Sequence, residues 1–362
     1  MKVGITCNGN SNGFHQMFAN GCNQNVIMYY ELFDLLGYDT YFLTHDAYKN
    51  EFDTNPYNKK KRNMSNDKEK YKDYKFLNIT NTNEDKFDYI FTIGITFDIT
   101  ILNRLKKNDK SKAIYIMLGK HYVFDVEYII FDERAQTIVD VKYDEIWISP
   151  HFEEHLEYYK VRFKNENIFV GPYFWSPNIT QNYFEHKIKN TIDEINVAIM
   201  EPNLNFCKTC LIPITIVEKA HKLVNRCYVF NGVNKVNNKF LCSLLPTFNI
   251  YKNKKLSLEP RLTLNDILNY CNVIVIHQDG LELNYVYLEA LHYGIPLIHN
   301  SDAFKDYGYY YPKSDVKIGA KQIENVLKNH NKVEYIKKNK PIVHKYSIHN
   351  EEFHKFIRNR LE

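Results

Sequence analysis

The chain has 362 residues, room for about two domains, and its 44% hydrophobic and 15% aromatic content supplies sizeable cores and excludes a globally disordered chain. Its 47 basic and 43 acidic residues leave a formal net charge of +4, with the basic residues scattered among acidic neighbours. That distribution is no nucleic-acid footprint, which gathers cations on one face or element.

From the N-terminus, Val3 to Thr6 reads as a strand, and the polar, glycine-punctuated run Cys7 to Gly21 as a long loop. A helix follows from about Asn23 to Leu36, with Val26, Ile27, Tyr30, Leu32, Phe33 and Leu36 on its apolar side and Gly37 as its stop. Strand, loop, helix opens a βαβ unit, but no GxGxxG joins Thr6 to the helix, so the dinucleotide fingerprint is absent. At the junction, Asn20, Gly21, Asn23, Gln24 and Asn25 crowd amides around a helix start. Capping uses one such side chain; the rest can donate to a sugar or phosphate.

Tyr41 to Leu43, Tyr89 to Gly94, Ala113 to Leu118 and Glu145 to Ser149 read as further strands, with a helix from about Ile99 to Lys107 and another from Phe152 to Tyr159. Residues 46 to 86 are charged and Asn-rich, and their basic run Lys59 to Arg62 reads as a solvated loop. Lys120 and His121 stand just past a strand's carboxyl end, where open α/β sheets place their ligands. The segment Gly171 to Pro177, rich in Pro and aromatics, and the polar stretch after it mark a boundary: a first domain over 1–175 and a linker over 176–194.

A second strand series starts at Asn196 to Met200 and breaks at Glu201-Pro202-Asn203. A helix is expected from about Ile212 to Val224, a strand at Tyr228 to Phe230, and a short helix over Leu262 to Tyr270 behind Arg261. The run Cys271 to Asn300 carries the strongest pattern: strand Val273 to Ile276, a polar loop from His277 to Asn284, a helix ending at Gly294, and strand Leu297-Ile298. The helix start has unpaired amides suited to an anion. Glu289 is a carboxylate in an otherwise apolar stretch, either solvated or turned to the hydroxyls of a ligand. Helices from about Gly319 to Leu327 and Asn350 to Leu361 close the chain, giving a second domain over 195–340 and a terminal helix, 341–362, free to pack back on the first.

Several features read as structural. The seven cysteines include Cys207 and Cys210 at CxxC spacing, but no second pair completes a zinc site, and reduced thiols are the simpler account. The sequons at Asn63, Asn78 and Asn178 read as chance matches in an Asn-rich chain with no secretory leader pattern, and no apolar run reaches the roughly 18 residues a membrane span needs. A cytoplasmic protein, monomer or homodimer, without metal or tightly bound cofactor is expected.

Two α/β halves and the motifs NGCNQNVI, IMEPN, IHQDGLELNYVYLEALHYGIPLIHNS and GYYYP resemble glycosyltransferases of the two-Rossmann (GT-B) type. The closer likeness is to a bacterial and viral group long filed as a domain of unknown function, and it covers nearly the full chain. The resemblance implies two Rossmann-like domains facing across a cleft, with the C-terminal helix crossing back to the first. It implies transfer of a hexose from a UDP-, GDP- or dTDP-sugar to a glycan or other hydroxyl acceptor, in host cytoplasm if the source is viral. The donor would sit on the C-terminal domain. Glu289 would take the ribose, Leu283, Asn284 and Tyr285 the diphosphate, with Asn203 and Gln278 nearby, and Lys208 or Arg261 would supply charge to the leaving phosphate. The acceptor would lie near Asn20, Gly21, Asn23 and Gln24. Where related retaining enzymes keep a sugar-facing Glu, eight positions before Glu289, this chain has Leu281, with Glu282 and Asp279 close by. Retention or inversion is therefore open, and an inverting course would need a base such as His121, His15 or Asp98. A silent nucleotide- or glycan-binding module, and an epimerase or phosphorylase of the same fold, are the alternatives.

Overall fold

A computed structural model describes residues 1–7, 21–44, 74–80, 85–94, 96–131, 142–177 and 187–362. The chain forms two compact units, one of Met1–Phe174 with Ile348–Glu362 and the other of Trp175–Ser347.

Among the described residues of the first unit seven strands make one parallel sheet: β1 (Lys2–Thr6), β2 (Asp39–Thr44), β3 (Phe76–Asn78), β4 (Tyr89–Ile93), β5 (Lys112–Met117), β6 (Glu145–Ile148) and β7 (Ile168–Val170). Their order is β3-β2-β1-β4-β5-β6-β7. Central strands read as continuous apolar runs because both faces of a parallel sheet are covered. Helix Gly21–Leu35 lays Val26, Ile27, Tyr29, Leu32 and Phe33 on the sheet. An aromatic chain then crosses the core, with Phe33 4.7 Å from Phe91 and Phe91 5.4 Å from Trp147 between ring centroids. The terminal helix Glu351–Leu361 packs back on this unit. Phe356 meets the buried Trp147 edge-on at 5.1 Å, Tyr89 Oη donates to Leu361 O at 2.6 Å, and the Arg360 guanidinium lies 3.2 Å from the Phe169 ring centroid.

The second unit repeats the plan with six strands, β8 (Ile195–Ile199), β9 (Val224–Phe230), β10 (Leu256–Glu259), β11 (Val273–Val275), β12 (Leu297–His299) and β13 (Tyr309–Tyr310). They are parallel in the order β10-β9-β8-β11-β12-β13, the doubly wound Rossmann order. β8 and β11 are neighbours, with Val273 opposite Val197 and Val275 opposite Ile199. The strand order runs outward in opposite senses from this pair, β8 to β10 on one side and β11 to β13 on the other, and the loops leaving their carboxyl ends part there.

Several boundaries differ from the pattern reading. The helix expected to reach Val224 stops at Lys219, because Val224 already pairs with Ile195 as the start of β9. Residues 121–131 form a helix that alternating aromatic and charged side chains concealed. Lys332–Lys345 is another, running through Pro341 with Tyr335, Asn339 and Ile342 buried. The return to the first unit accordingly falls after Ser347. Among the described residues no helix is long and apolar enough to cross a membrane.

Gly294 ends helix Tyr285–Tyr293 at φ +79°, and a Cβ there would lie 2.6 Å from Lys332 Cγ and 3.1 Å from Ile336. Left-handed backbone and close packing both demand glycine. Gly294→Ala is expected to cost about 1 to 3 kcal/mol, read as a lowered midpoint in chemical denaturation.

Candidate functional site

At the carboxyl ends of β8 and β11, the switch point of the sheet, two loops are tied together by the Glu201 carboxyl and by one backbone hydrogen bond. The loop after β8 turns at Asn203, whose backbone is left-handed at φ 54°. Asn203 Oδ1 accepts from Cys210 N at 2.8 Å, its Nδ2 donates to Glu201 O at 3.0 Å, and its backbone N donates to Lys208 O at 3.0 Å. Its amide therefore shapes the loop that carries Lys208. The loop after β11 crosses to it: His277 N donates to Glu201 Oε1 at 3.2 Å, Gln278 Nε2 to Glu201 Oε2 at 3.4 Å, and Asp279 N to Cys207 O at 3.0 Å. Gln278 is fixed from its other side by a reciprocal pair with Asn300, N to Oδ1 at 2.9 Å and Nδ2 to O at 3.1 Å.

Glu201 is 1% exposed. Burial pushes its carboxyl from the usual 4.5 up to about 8, against the opposing pull of the Lys208 charge and the His277 and Gln278 donors. At neutral pH it is mostly a neutral acid. Beside it, Tyr287 Oη and Gln278 Oε1 are buried with no hydrogen-bond partner among the described residues. Sequence pattern reads Glu201-Pro202-Asn203 only as a strand break; the signal available was an acid directly after an apolar strand at a switch point.

The rest of the β11 loop feeds helix Tyr285–Tyr293. Asn284 caps it, Oδ1 accepting from Val286 N at 3.1 Å. Leu283 and Tyr285 are buried, and Glu289 is buried too, at 3% exposure, which removes the solvated reading of that carboxylate. Glu282 Oε2 accepts from Ala303 N at 2.9 Å and its carbonyl from Ser301 Oγ at 2.8 Å, so it anchors the turn after β12. Leu281 is buried. Asp279 keeps a side chain 54% exposed, its Oδ1 3.2 Å from His277 Nε2. Arg261 is exposed and follows β10, two strands away from β8.

In the first unit Gly21 opens its helix and accepts from Asn25 Nδ2 at 2.8 Å, Gln24 is buried and Asn23 half-buried. Asn20 and His15 lie outside the described residues. Asp98 caps helix Ile99–Leu105 through Thr100 N. Lys120 is engaged by Glu154 at 2.7 Å. His121 starts helix His121–Phe131 at the carboxyl end of β5. Burial lowers its imidazole to about 4, and its Nδ1 is buried without a hydrogen-bond partner among the described residues. Cys207 and Cys210 are buried thiols, and burial raises Cys210 to about 11, far from a reactive thiolate. Among the described residues no group of three or more His, Cys, Asp or Glu side chains could hold a metal.

A family model described as "Protein of unknown function (DUF2827)" matches residues 3–361. The chain belongs to the DUF2827 family. None of the curated proteins matches it. Among solved structures, an α-glucosyltransferase in complex with UDP and a 13-mer DNA containing an HMU base is similar to this DUF2827 chain over 100% of its length and 99% of the other's, at 10% identity and a TM-score of 0.59. HepE of Anabaena, in complex with UDP and glucose, is similar over 100% and 99%, at 10% identity and a TM-score of 0.56. TarM matches 76% of the DUF2827 chain, which spans about half of it (54%), at 13% identity and a TM-score of 0.46. At these identities the likeness is one of fold, two Rossmann-like units of the GT-B kind.

The raised Glu201 carboxyl has a consequence for stability. The folded state keeps this proton up to about 8, whereas an unfolded chain releases it near 4.5. Its stabilisation is complete below the lower value and is lost as pH rises through the higher, by up to about 1.4 kcal/mol per pH unit. Glu201→Gln, uncharged throughout, is expected to flatten that slope, measured by urea denaturation at a series of pH values.

Proposed function

We propose that this chain is a metal-independent glycosyltransferase that moves a sugar, a hexose, from a nucleotide-diphosphate donor to a glycan or other hydroxyl acceptor. The observation that carries this reading is the β8/β11 crevice. Two loops converge at the switch point of a Rossmann-order sheet, bringing Lys208, Gln278, Asp279 and a capped helix start to one edge, with the buried Glu289 on the helix that follows. Open α/β sheets bind their ligands at this place. The solved α-glucosyltransferase and HepE, similar in fold, are both in complex with UDP, which supports a nucleotide-sugar donor here.

In this reading Glu289 accepts from the ribose hydroxyls. Amides from Leu283 to Tyr285 and the Lys208 ammonium take the diphosphate, with Arg261 a further cation at the flank. Asn203 acts by holding the Lys208 loop in its turn. The C1 to phosphate bond loosens, C1 gains oxocarbenium character, and charge accumulates on the departing phosphate, where fixed cations and helix amides stabilise it most. The acceptor is held by the first unit near Asn23 and Gln24. On an inverting course His121, uncharged at neutral pH because burial holds it near 4, can take the acceptor's proton.

The test is release of nucleotide diphosphate from UDP-, GDP- and dTDP-sugars, alongside calorimetric binding of the free nucleotides. Nucleotide binding without turnover of any donor would make the chain a binding module. Glu289→Ala is expected to weaken binding of the accepted nucleotide by about 1.5 to 3 kcal/mol, as for loss of a charged hydrogen-bond partner, with the fold retained by circular dichroism. Unchanged affinity would return Glu289 to a purely structural role in its helix.

A further inference from the structure

The β11 loop and its helix carry three carboxylates, and their surroundings separate them. Glu282 is consumed by Ala303 N, and Glu289 is buried in the helix. Asp279 alone of the three is exposed, and a buried imidazole stands behind it.

The protons of that imidazole follow from its neighbours. Tyr311 Oη lies 3.0 Å from Ile276 O and 3.0 Å from His277 Nδ1. A carbonyl only accepts, so the single phenolic proton goes to Ile276 O, and Nδ1 must carry a proton and donate it to Tyr311 Oη. Tyr311 is 0% exposed and its backbone N donates to His299 O at 2.8 Å, so the ring's partner is fixed by the sheet. Nε2 then faces Asp279 Oδ1 at 3.2 Å and Ser314 Oγ at 3.5 Å. An ionised carboxylate also only accepts. The contact is a hydrogen bond only when a second proton lies between Nε2 and Oδ1.

We propose that His277 and Asp279 form a dyad sharing one proton, with His277, its ring fixed by Tyr311, as the positioning residue that holds Asp279 at the mouth of the β8/β11 crevice. With the proton in place, Oδ1 is pinned and Oδ2 is presented to a hydroxyl-bearing ligand, which, on the function proposed above, is the transferring sugar. Without it, two lone pairs oppose each other and Asp279 swings off Nε2. Burial draws the imidazole below its ordinary range while Asp279 pulls it up. The other polar and titratable groups packed round the dyad are Glu201 and Lys208 on the β8 side, Tyr311 and Ser314 after β13, and Tyr287 on the helix. Burial pushes the Glu201 carboxyl up to about 8, so below neutral pH it adds little negative charge beside the dyad.

The dyad is tested first without turnover, by nitrogen-15 NMR of the histidine side chains in the full chain across pH. His277 is expected to keep its Nδ1 proton throughout and to titrate at Nε2, and Asp279→Asn is expected to lower its proton affinity tenfold or more. A neutral form protonated at Nε2 instead, or an unchanged titration in Asp279→Asn, overturns the proposal. Asp279 is exposed, so this variant spares the core; Tyr311→Phe, which removes the acceptor of the Nδ1 proton, is expected to shift the tautomer. With a donor that turns over, His277→Asn and Asp279→Asn should each lower kcat at least tenfold at unchanged nucleotide affinity, and the double variant should lose no more than the worse single. Additive losses would overturn the positioning role. If no donor turns over, the transferase reading fails, while the NMR result still decides the dyad.

Discussion

The second unit depends on the Glu201 carboxyl. It reaches across the switch point, accepting from both the backbone and the side chain of the opposite loop, at His277 N and Gln278 Nε2. A parallel sheet pins its strands by backbone ladders but leaves the loops beyond their carboxyl ends to find other partners. Here the partner is a buried acid that stays mostly protonated at neutral pH, because burial strips the charged form of its solvation. The crevice thus has a fixed floor made from a polar group, with the buried Tyr287 hydroxyl and Gln278 carbonyl oxygen beside it.

On that floor the carboxylates of one loop and the helix it feeds diverge. Glu282 stabilises a turn, Asp279 reaches solvent with an imidazole at its back, and Glu289 lies inside a helix. Spacing along the chain gives each of them equal standing. Neighbours after the next two strands of the sheet, Ala303 beyond β12 and Tyr311 beyond β13, set the difference.

Much of the frame was legible in the sequence. Apolar runs at β1, β4, β5, β8 and β11 mark buried parallel strands, and Gly294 and Asn284 stand where helix chemistry wants them. What escaped has a common cause: pattern reading finds elements that bury a stripe against one partner. Helix Lys332–Lys345 is crowded with lysines and interrupted by Pro341, and it contributes only Tyr335, Asn339 and Ile342 to the interior. β10 is an edge strand of four residues, short enough to hide between loops. Glu201 looked like punctuation because its meaning lies in two amides 76 and 77 residues further on. The polar residues of the first unit's opening loop were legible as a type, and Gly21, Asn23 and Gln24 do stand in the first turn of their helix.

The return of the C-terminal helix sets an order on biosynthesis. The second unit is one unbroken stretch, Trp175–Ser347, pinched at its base where Trp175 N donates to Tyr346 O at 2.6 Å. The first unit is split, and the Trp147 ring, Tyr89 hydroxyl and Phe169 face wait for residues made after the whole second unit, Phe356, Leu361 and Arg360. As the chain leaves the ribosome, the later unit can therefore finish folding while the earlier one still has an open apolar face. The first unit is sealed only once residues beyond the whole second unit have been made, by contacts of very high sequence separation, and the interval before that is the step at which a chaperone would have most to hold.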